Sequence, residues 1–349
     1  MMYRSYKNSF MATHLPHVVL ALLVLTQQTW CIPPTSSEET YRGLLTTWHH
    51  KEHKSVFSPS QGPPPECYLK YFLHQSPPQG LLIDHPDAEV YVCQSVPESP
   101  DTYFFATLFD DKAGIAILSA YTVTYEQARN MGMFPRENVS NSWRTNKELT
   151  HQGTNEMYHG HGRGKQGFDK GHLNPAYINS FDKKHVLATF TYSNAVPQYG
   201  SFNRGLWRKF ERKIVNYVTE QCAIKNKSSA VMYLMTGSSK FRLQDGTEKP
   251  VHDKGQIKIH YFPGPGSNGS IVRPNSMWTA GCCVWEDENH KEMAQSIAVM
   301  GNNDFTKNLT IMSMTLVELE KMLVYDGNEP VSLFPAVKEC RINSLKLPN

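Results

Sequence analysis

The sequence predicts an α+β fold in which strands dominate and helices pack on the sheet. Three observations carry that expectation. Runs rich in aromatic and β-branched residues recur at 103–109, 115–123, 231–236, 257–262 and 277–284, each bounded by Gly, Pro, Asp or Asn, which is the pattern of strands. Two segments show helical periodicity instead: in 204–221, Leu206, Phe210, Ile214 and Tyr217 recur at spacings of four, four and three, and in 315–325 Leu316, Leu319, Met322 and Leu323 share one side after polar Ser313 and Thr315. Composition completes the argument, since 349 residues with 40% hydrophobic and 19% charged side chains can bury a substantial core and do not match a disordered chain. No internal repeat or low-complexity tract interrupts the pattern.

At the N-terminus, Arg4 and Lys7 precede an eight-residue apolar run, 18–25 (VVLALLVL). A membrane span takes about 20 residues, so this run suits the hydrophobic region of a secretory signal. Cleavage is expected between Thr26 and Pro33, with Met11 as an alternative start. The expected organisation is a signal peptide over 1–31, a Pro-punctuated lead-in over 32–60 and one domain over 61–345, secreted and without stable membrane insertion. Loss of Arg4 and Lys7 with the signal lowers the formal charge from +3 to +1. Any grip on a polyanion must then come from local placement of Lys and Arg.

Six cysteines remain beyond the signal: Cys67, Cys93, Cys222, Cys282, Cys283 and Cys340. An even count in an exported chain points to disulfides, with 15 complete pairings possible. Vicinal Cys282 and Cys283 are not expected to bridge each other, because that geometry is strained; each reaches a distant partner or one stays free. Cys67 with Cys93 is the preferred local pair. Sequons at Asn138, Asn226, Asn268 and Asn308 support export weakly.

The chemistry concentrates in Phe168-Asp169-Lys170-Gly171-His172-Leu173-Asn174-Pro175, answered by Tyr192-Ser193-Asn194-Ala195-Val196-Pro197-Gln198 and Phe202-Asn203-Arg204-Gly205. An imidazole titrates near neutrality, so His172 can take a proton from water. Asn203, thirty-one residues on, offers a neutral hard oxygen suited to Mg²⁺ at the start of the 204–221 helix, whose N-terminal end favours phosphate. Glu211 lies about 12 Å further along an ideal helix axis and leans back toward the N-terminus, placing it to orient metal-bound water. A His, an amide oxygen and a carboxylate are the parts needed to hydrolyse a phosphodiester with a hard metal ion. His151, His159 and His161 lack rigid ligand spacing and neighbouring Cys, so they are expected to occupy a solvated loop, not a zinc site.

These motifs resemble the DNA/RNA non-specific endonuclease family, whose usual signature is D-R-G-H, with most likeness to its secreted vertebrate branch; the likeness covers roughly residues 60–345. The resemblance implies a ββα-metal (His-Me finger) nuclease core, in which a strand presents the His and a helix presents the Asn. His172 would then be the general base, Asn203 the direct ligand of Mg²⁺ (or Mn²⁺), Asn194 a residue positioning the network, and Glu211 the holder of metal waters. Lys170 and Arg204 would meet the substrate phosphate. The implied partners are DNA and RNA, gripped by backbone contacts that carry little sequence information, with 5′-phosphate products. Two departures stand out. The signature Arg is Lys170, which cannot form a bidentate fork, and no Arg stands shortly before Trp143, although Arg136 and Arg144 flank it at other spacings. A catalytically weak or silent secreted binding protein on the same fold is the competing class.

Overall fold

Runs such as Phe105–Asp110 and Ile115–Thr124 are buried along nearly their whole length, which requires cover on both faces of the sheet. A computed structural model describes residues 53–348 apart from 82, 140–141, 160–166, 245–257, 265–268, 306–309 and 328. The expected signal peptide, most of the lead-in, and Asn268 and Asn308 lie outside the described residues. In chain order the strands are β1 (Val56–Phe57), β2 (Glu89–Gln94), β3 (Phe105–Asp110), β4 (Ile115–Thr124), β5 (Phe168–His172), β6 (Ala195–Tyr199), β7 (Val231–Ser239), β8 (His260–Phe262), β9 (Ile271–Arg273), β10 (Ser276–Glu286), β11 (Glu292–Asn302), β12 (Ile311–Met314) and β13 (Ser344–Leu345). Among the described residues, the main sheet runs β1-β2-β3-β4-β7-β10-β11-β12 with antiparallel neighbours, and β13 joins β11 in parallel. Strands β5 and β6 form a separate hairpin, as do β8 and β9.

Period-two alternation sends successive side chains of each strand into different layers. On β4, Tyr121 and Val123 face a core shared with Phe202, Trp207, Phe210 and Ile214, while Leu118 and Ala120 face a core shared with Leu316, Leu319 and Leu323. The first layer contains a helical segment over 200–222 (α2), preceded by a short helix α1 (Lys183–Thr189); the second contains α3 (Leu316–Gly327). Helix α3 starts where it does because Thr315 Oγ1 accepts from Glu318 N–H while the Glu318 carboxylate accepts from Thr315 N–H, a reciprocal cap. None of the helices among the described residues is long and apolar enough to cross a membrane.

The same alternation explains the vicinal cysteines. Adjacent on β10, they point to opposite faces: Cys283 bridges to Cys222 at the end of α2, and Cys282 bridges to Cys340 in the other layer. Cys67 pairs with Cys93, as expected.

Several elements depart from the sequence reading. β1 falls within the stretch read as lead-in, because Val56 and Phe57 pair with Val92 and Tyr91 of β2. β11 (EMAQSIAVMGN) carries few strand-forming residues, yet pairs with β10 from Ser276↔Asn302 to Glu286↔Glu292; cross-strand pairing and burial override its weak propensity. Helix α2 begins at Gly200, so Asn203 sits inside the first turn, and the widened π-type turns at Asn203–Trp207 and Val218–Cys222 are not legible from periodicity. His151 is tethered, its ring nitrogens 2.9 and 3.0 Å from the carbonyls of Lys112 and Gly269.

Candidate active site

The site is built on the β5–β6 hairpin, whose register runs from Phe168↔Tyr199 to His172↔Ala195. Gly171 is required there: a Cβ at that position would come within 2.2 Å of Gln198 Cδ. Behind the hairpin a buried hydrogen-bond relay anchors it to the sheet. Gln94 Nε2 donates to Thr107 Oγ1 at 3.0 Å, Thr107 Oγ1 lies 3.1 Å from Ser119 Oγ, and Ser119 Oγ donates to Asn194 Oδ1 at 2.9 Å. Asn194 Oδ1 also accepts from Asn174 N–H, and Nδ2 donates to the carbonyls of Asn174 and Thr189. Its backbone carbonyl accepts from Leu173 N–H. Asn194 therefore does not line the pocket; it fixes the residues that immediately follow His172.

His172 packs its ring against Trp143 at 4.7 Å and edge-on against Phe190 at 5.0 Å. Nε2 is sealed from solvent without a hydrogen-bond partner among the described residues, which leaves Nδ1 as the nitrogen able to meet water. Burial, reinforced by the Arg136 guanidinium, lowers the His172 pKa from 6.5 to about 3. The imidazole is thus neutral across the physiological range, with its acceptor function intact but its basicity depressed in the free protein.

Asn203 is half-buried in the first turn of α2, where Nδ2 donates to Asp169 Oδ2 at 3.0 Å. The bond turns Oδ1 the other way, and among the described residues no donor reaches it. Arg204 Nε lies 3.4 Å from the same Asp169 oxygen. The turn is wide because Gly205 departs from helical geometry at φ −98°, ψ −111°, and such π-type distortions recur at functional sites.

A cavity of about 360 Å³ opens on this face. Arg136, Lys170 and Arg204 supply its cations, Asp169 and Asn203 its polar groups, and Trp143, Tyr158 and Phe168 its aromatic walls. The Lys170 ammonium donates to Asn155 Oδ1 and sits 5.5, 5.9 and 5.3 Å from the ring centroids of Trp143, Tyr158 and Tyr192. Burial lowers its pKa, partly offset by the charge of Glu156.

Glu211 is not a pocket-lining residue. It lies on the sheet-facing side of α2, close enough to Tyr121 to disfavour ionisation of that phenol. Burial raises its carboxyl to about 8, against opposing effects of Arg208 and the Trp207 indole N–H. The Oδ1 of Asn203, which no donor among the described residues reaches, fits a hard, oxygen-liganded cation that retains water. Among the described residues no three His, Cys, Asp or Glu side chains converge on a metal position, so protein ligands to such a cation would be few.

The structure thus brings together Lys170, Asn203 and Arg204 on the pocket, sets His172 beside it under Trp143, and places Asn194 and Glu211 behind it. Sequence reasoning missed Asp169, Asn155 and Tyr158, although Asp169 stood within the quoted motif. Of the two arginines flanking Trp143, Arg136 enters the pocket, with its guanidinium 5.2 Å from the Phe190 ring centroid. Arg144 instead is half-buried near Glu98. The sequon residue Asn138 is exposed two positions from Arg136, whereas Asn226 is half-buried and donates to the Glu286 carbonyl at 3.0 Å.

The sequence profile of the DNA/RNA non-specific endonuclease family matches residues 95–328. Among solved structures, a chain described under "Crystal structure of the EndoG/EndoGI complex: Mechanism of EndoG inhibition" is similar with a TM-score of 0.53 and 17% identity, covering 82% of this chain and 100% of that one. That likeness concerns the fold, in which a hairpin bearing His172 is followed by a helix bearing Asn203. Comparison with curated proteins gives no match.

Proposed function

The chain belongs to the DNA/RNA non-specific endonuclease family, and from that premise we propose that it hydrolyses DNA and RNA in a Mg²⁺-dependent reaction, with Mn²⁺ as a substitute, leaving 5′-phosphate ends. The observation carrying this reading is that the hairpin, the first helical turn after it and Arg136 upstream set an oriented amide oxygen and three cations around one cavity, with the neutral His172 imidazole beside it. Phosphodiester hydrolysis needs a proton acceptor for water and positive charge where the phosphorane develops.

His172 accepts the proton from attacking water through Nδ1. Its basicity, depressed by burial and further by Arg136 in the free protein, rises when a bound phosphate anion offsets the guanidinium charge. Arg136 takes the place of the Arg that the family carries before Trp143, with a planar fork for two phosphate oxygens. Lys170, held by Asn155, and Arg204, held by Asp169, position the neighbouring phosphates. Asn203 Oδ1 would hold the cation, with Glu211 as an outer carboxylate. When bound, Mg²⁺ supplies Lewis-acid charge beside the scissile phosphate. Asn194 keeps the His172 strand in register.

Export through an N-terminal signal accompanies this proposal. Three disulfides among Cys67–Cys93, Cys222–Cys283 and Cys282–Cys340 are compatible with an oxidising, extracellular setting.

The test is digestion of plasmid DNA and of RNA by the purified chain in Mg²⁺, in Mn²⁺ and in EDTA, with end-labelling of the products. Cleavage with either metal, none in EDTA, and 5′-phosphate ends are expected. Binding without cleavage in both metals would overturn the reading and leave a silent binding protein.

A further inference from the structure

The phosphate-binding parts leave unexplained why the cavity has so much aromatic surface. Along β5, Phe168, Lys170 and His172 are alternate residues and share one face, spaced about 6.8 Å apart. Beside that face runs a row of rings in mutual contact. Trp143 meets Tyr192 at 5.7 Å, Tyr192 stacks on Tyr158 at 6.2 Å, Tyr158 meets Phe262 at 4.8 Å, and Phe262 meets Phe168 at 5.0 Å. The row thus extends from the ring covering His172 to the far end of the strand. Tyr192 and Phe262 are buried, at 2% and 1% exposed, and underpin the row, whereas Trp143 and Phe168 are half-buried and line the cavity. Tyr158 is 6% exposed and its hydroxyl has no partner among the described residues, although buried polar groups are nearly always bonded.

We propose that the half-buried Trp143 and Phe168 rings at the two ends of this row are base-stacking sites, so that the preferred substrate is single-stranded nucleic acid whose bases lie unstacked along the His172 strand. The proposal deepens the nuclease reading and rests on it. In a duplex the bases stack about 3.4 Å apart and their faces are unavailable, so aromatic walls gain nothing from it. A single strand can open its bases to the wider spacing of the β5 side chains and lay their faces on Trp143 and Phe168 while its phosphates meet Lys170, Arg136 and Arg204. Every base has a π-face, so such a platform adds affinity without sequence preference. The ring surfaces and the cations share one cavity, which lets a single nucleotide use both.

The experiment measures affinity of the full chain, in EDTA and at physiological salt, for a fluorescent single strand, for the matching duplex and for the same strand with abasic sites, checking afterwards that each strand is intact. A 2-aminopurine placed in the single strand reports stacking through quenching. Expected are binding of the single strand at least about tenfold tighter than the duplex, loss of about tenfold per critical abasic site, and quenching on binding. Trp143→Leu and Phe168→Leu, confirmed as folded by circular dichroism, should bind the intact strand as weakly as the abasic one. Equal affinity for single strand, duplex and abasic strand, without quenching, would overturn the proposal and show phosphate charge alone at work. That outcome leaves metal-dependent cleavage untouched; absence of cleavage in Mg²⁺ and Mn²⁺, with the binding pattern intact, would instead sink the nuclease reading.

Discussion

Asn203 Nδ2 donates to Asp169 Oδ2 at 3.0 Å, tying the first turn of α2 to the hairpin that carries His172. The bond decides which end of the amide faces the cavity, so in the proposed site Asp169 would act on a cation through Asn203. Residues that orient a metal ligand are worth about 10–100-fold in affinity or activity. Asp169→Ala is therefore expected to weaken Mg²⁺ binding by that factor, read by titrating cleavage rate against Mg²⁺ concentration. An unchanged half-saturation would remove Asp169 from the site.

Asn194 makes four side-chain hydrogen bonds in a fully buried position. Asn194→Ala leaves several of those partners orphaned, at about 1–3 kcal/mol for each unsatisfied group. Chemical denaturation should show a loss of at least that size, with activity falling as the His172 strand loses its register. Asn194→Asp, which can keep the two accepted bonds, should recover part of both.

Burial lowers the proton affinity of His172, and Arg136 lowers it further. Its positive charge disfavours the imidazolium and adds to burial in holding the pKa near about 3. Replacing it with Gln raises that pKa, so the acid limb of the free-enzyme kcat/KM profile moves to higher pH while the plateau drops through loss of a phosphate cation. Stability follows the same sign. A His with a folded-state pKa below its unfolded value of 6.5 costs the folded state stability as pH falls from 6.5 toward 3. The Gln variant should lose less stability over that window, measured by urea melts between pH 4 and 7. An acid limb that stays in place would show that another group controls it.

Lys170 is caged by Trp143, Tyr158 and Tyr192 with its ammonium on Asn155. If its charge serves the phosphate, Lys170→Arg should maintain or raise cleavage, since a guanidinium can bind two oxygens. Lys170→Ala should lower it by about 1.5–3 kcal/mol in transition-state stabilisation. Steady-state kcat/KM for both variants measures this; indifference to both would move the clamp to Arg136 and Arg204.

What the sequence made legible depended on how local each signal was. The α2 stripe of Phe210, Ile214 and Tyr217 is a local periodicity, and it placed Asn203 and Glu211 on one helix. His172 was legible because Gly171 and the flanking motif are contiguous. Asp169 and Asn155 were not, because their importance arises only when the hairpin meets α2 and the segment at 155–158. Arg136 stood at the wrong spacing and reaches the cavity through the course of the chain between β4 and Trp143. Glu211 lies four residues after buried Trp207 and three before buried Ile214, so ordinary helical spacing carries it to the sheet-facing side. The pairing of Cys282 and Cys283 needed the knowledge that β10 is covered on both faces.

His172 is the proposed proton acceptor for hydrolysis. The most direct measurement is the cleavage rate of His172→Ala beside wild type at saturating Mg²⁺, with DNA affinity measured in parallel. General-base catalysis is worth about 10²–10⁴-fold, so the variant should lose that much turnover with affinity nearly unchanged. Cleavage by the variant at the wild-type rate would contradict the account.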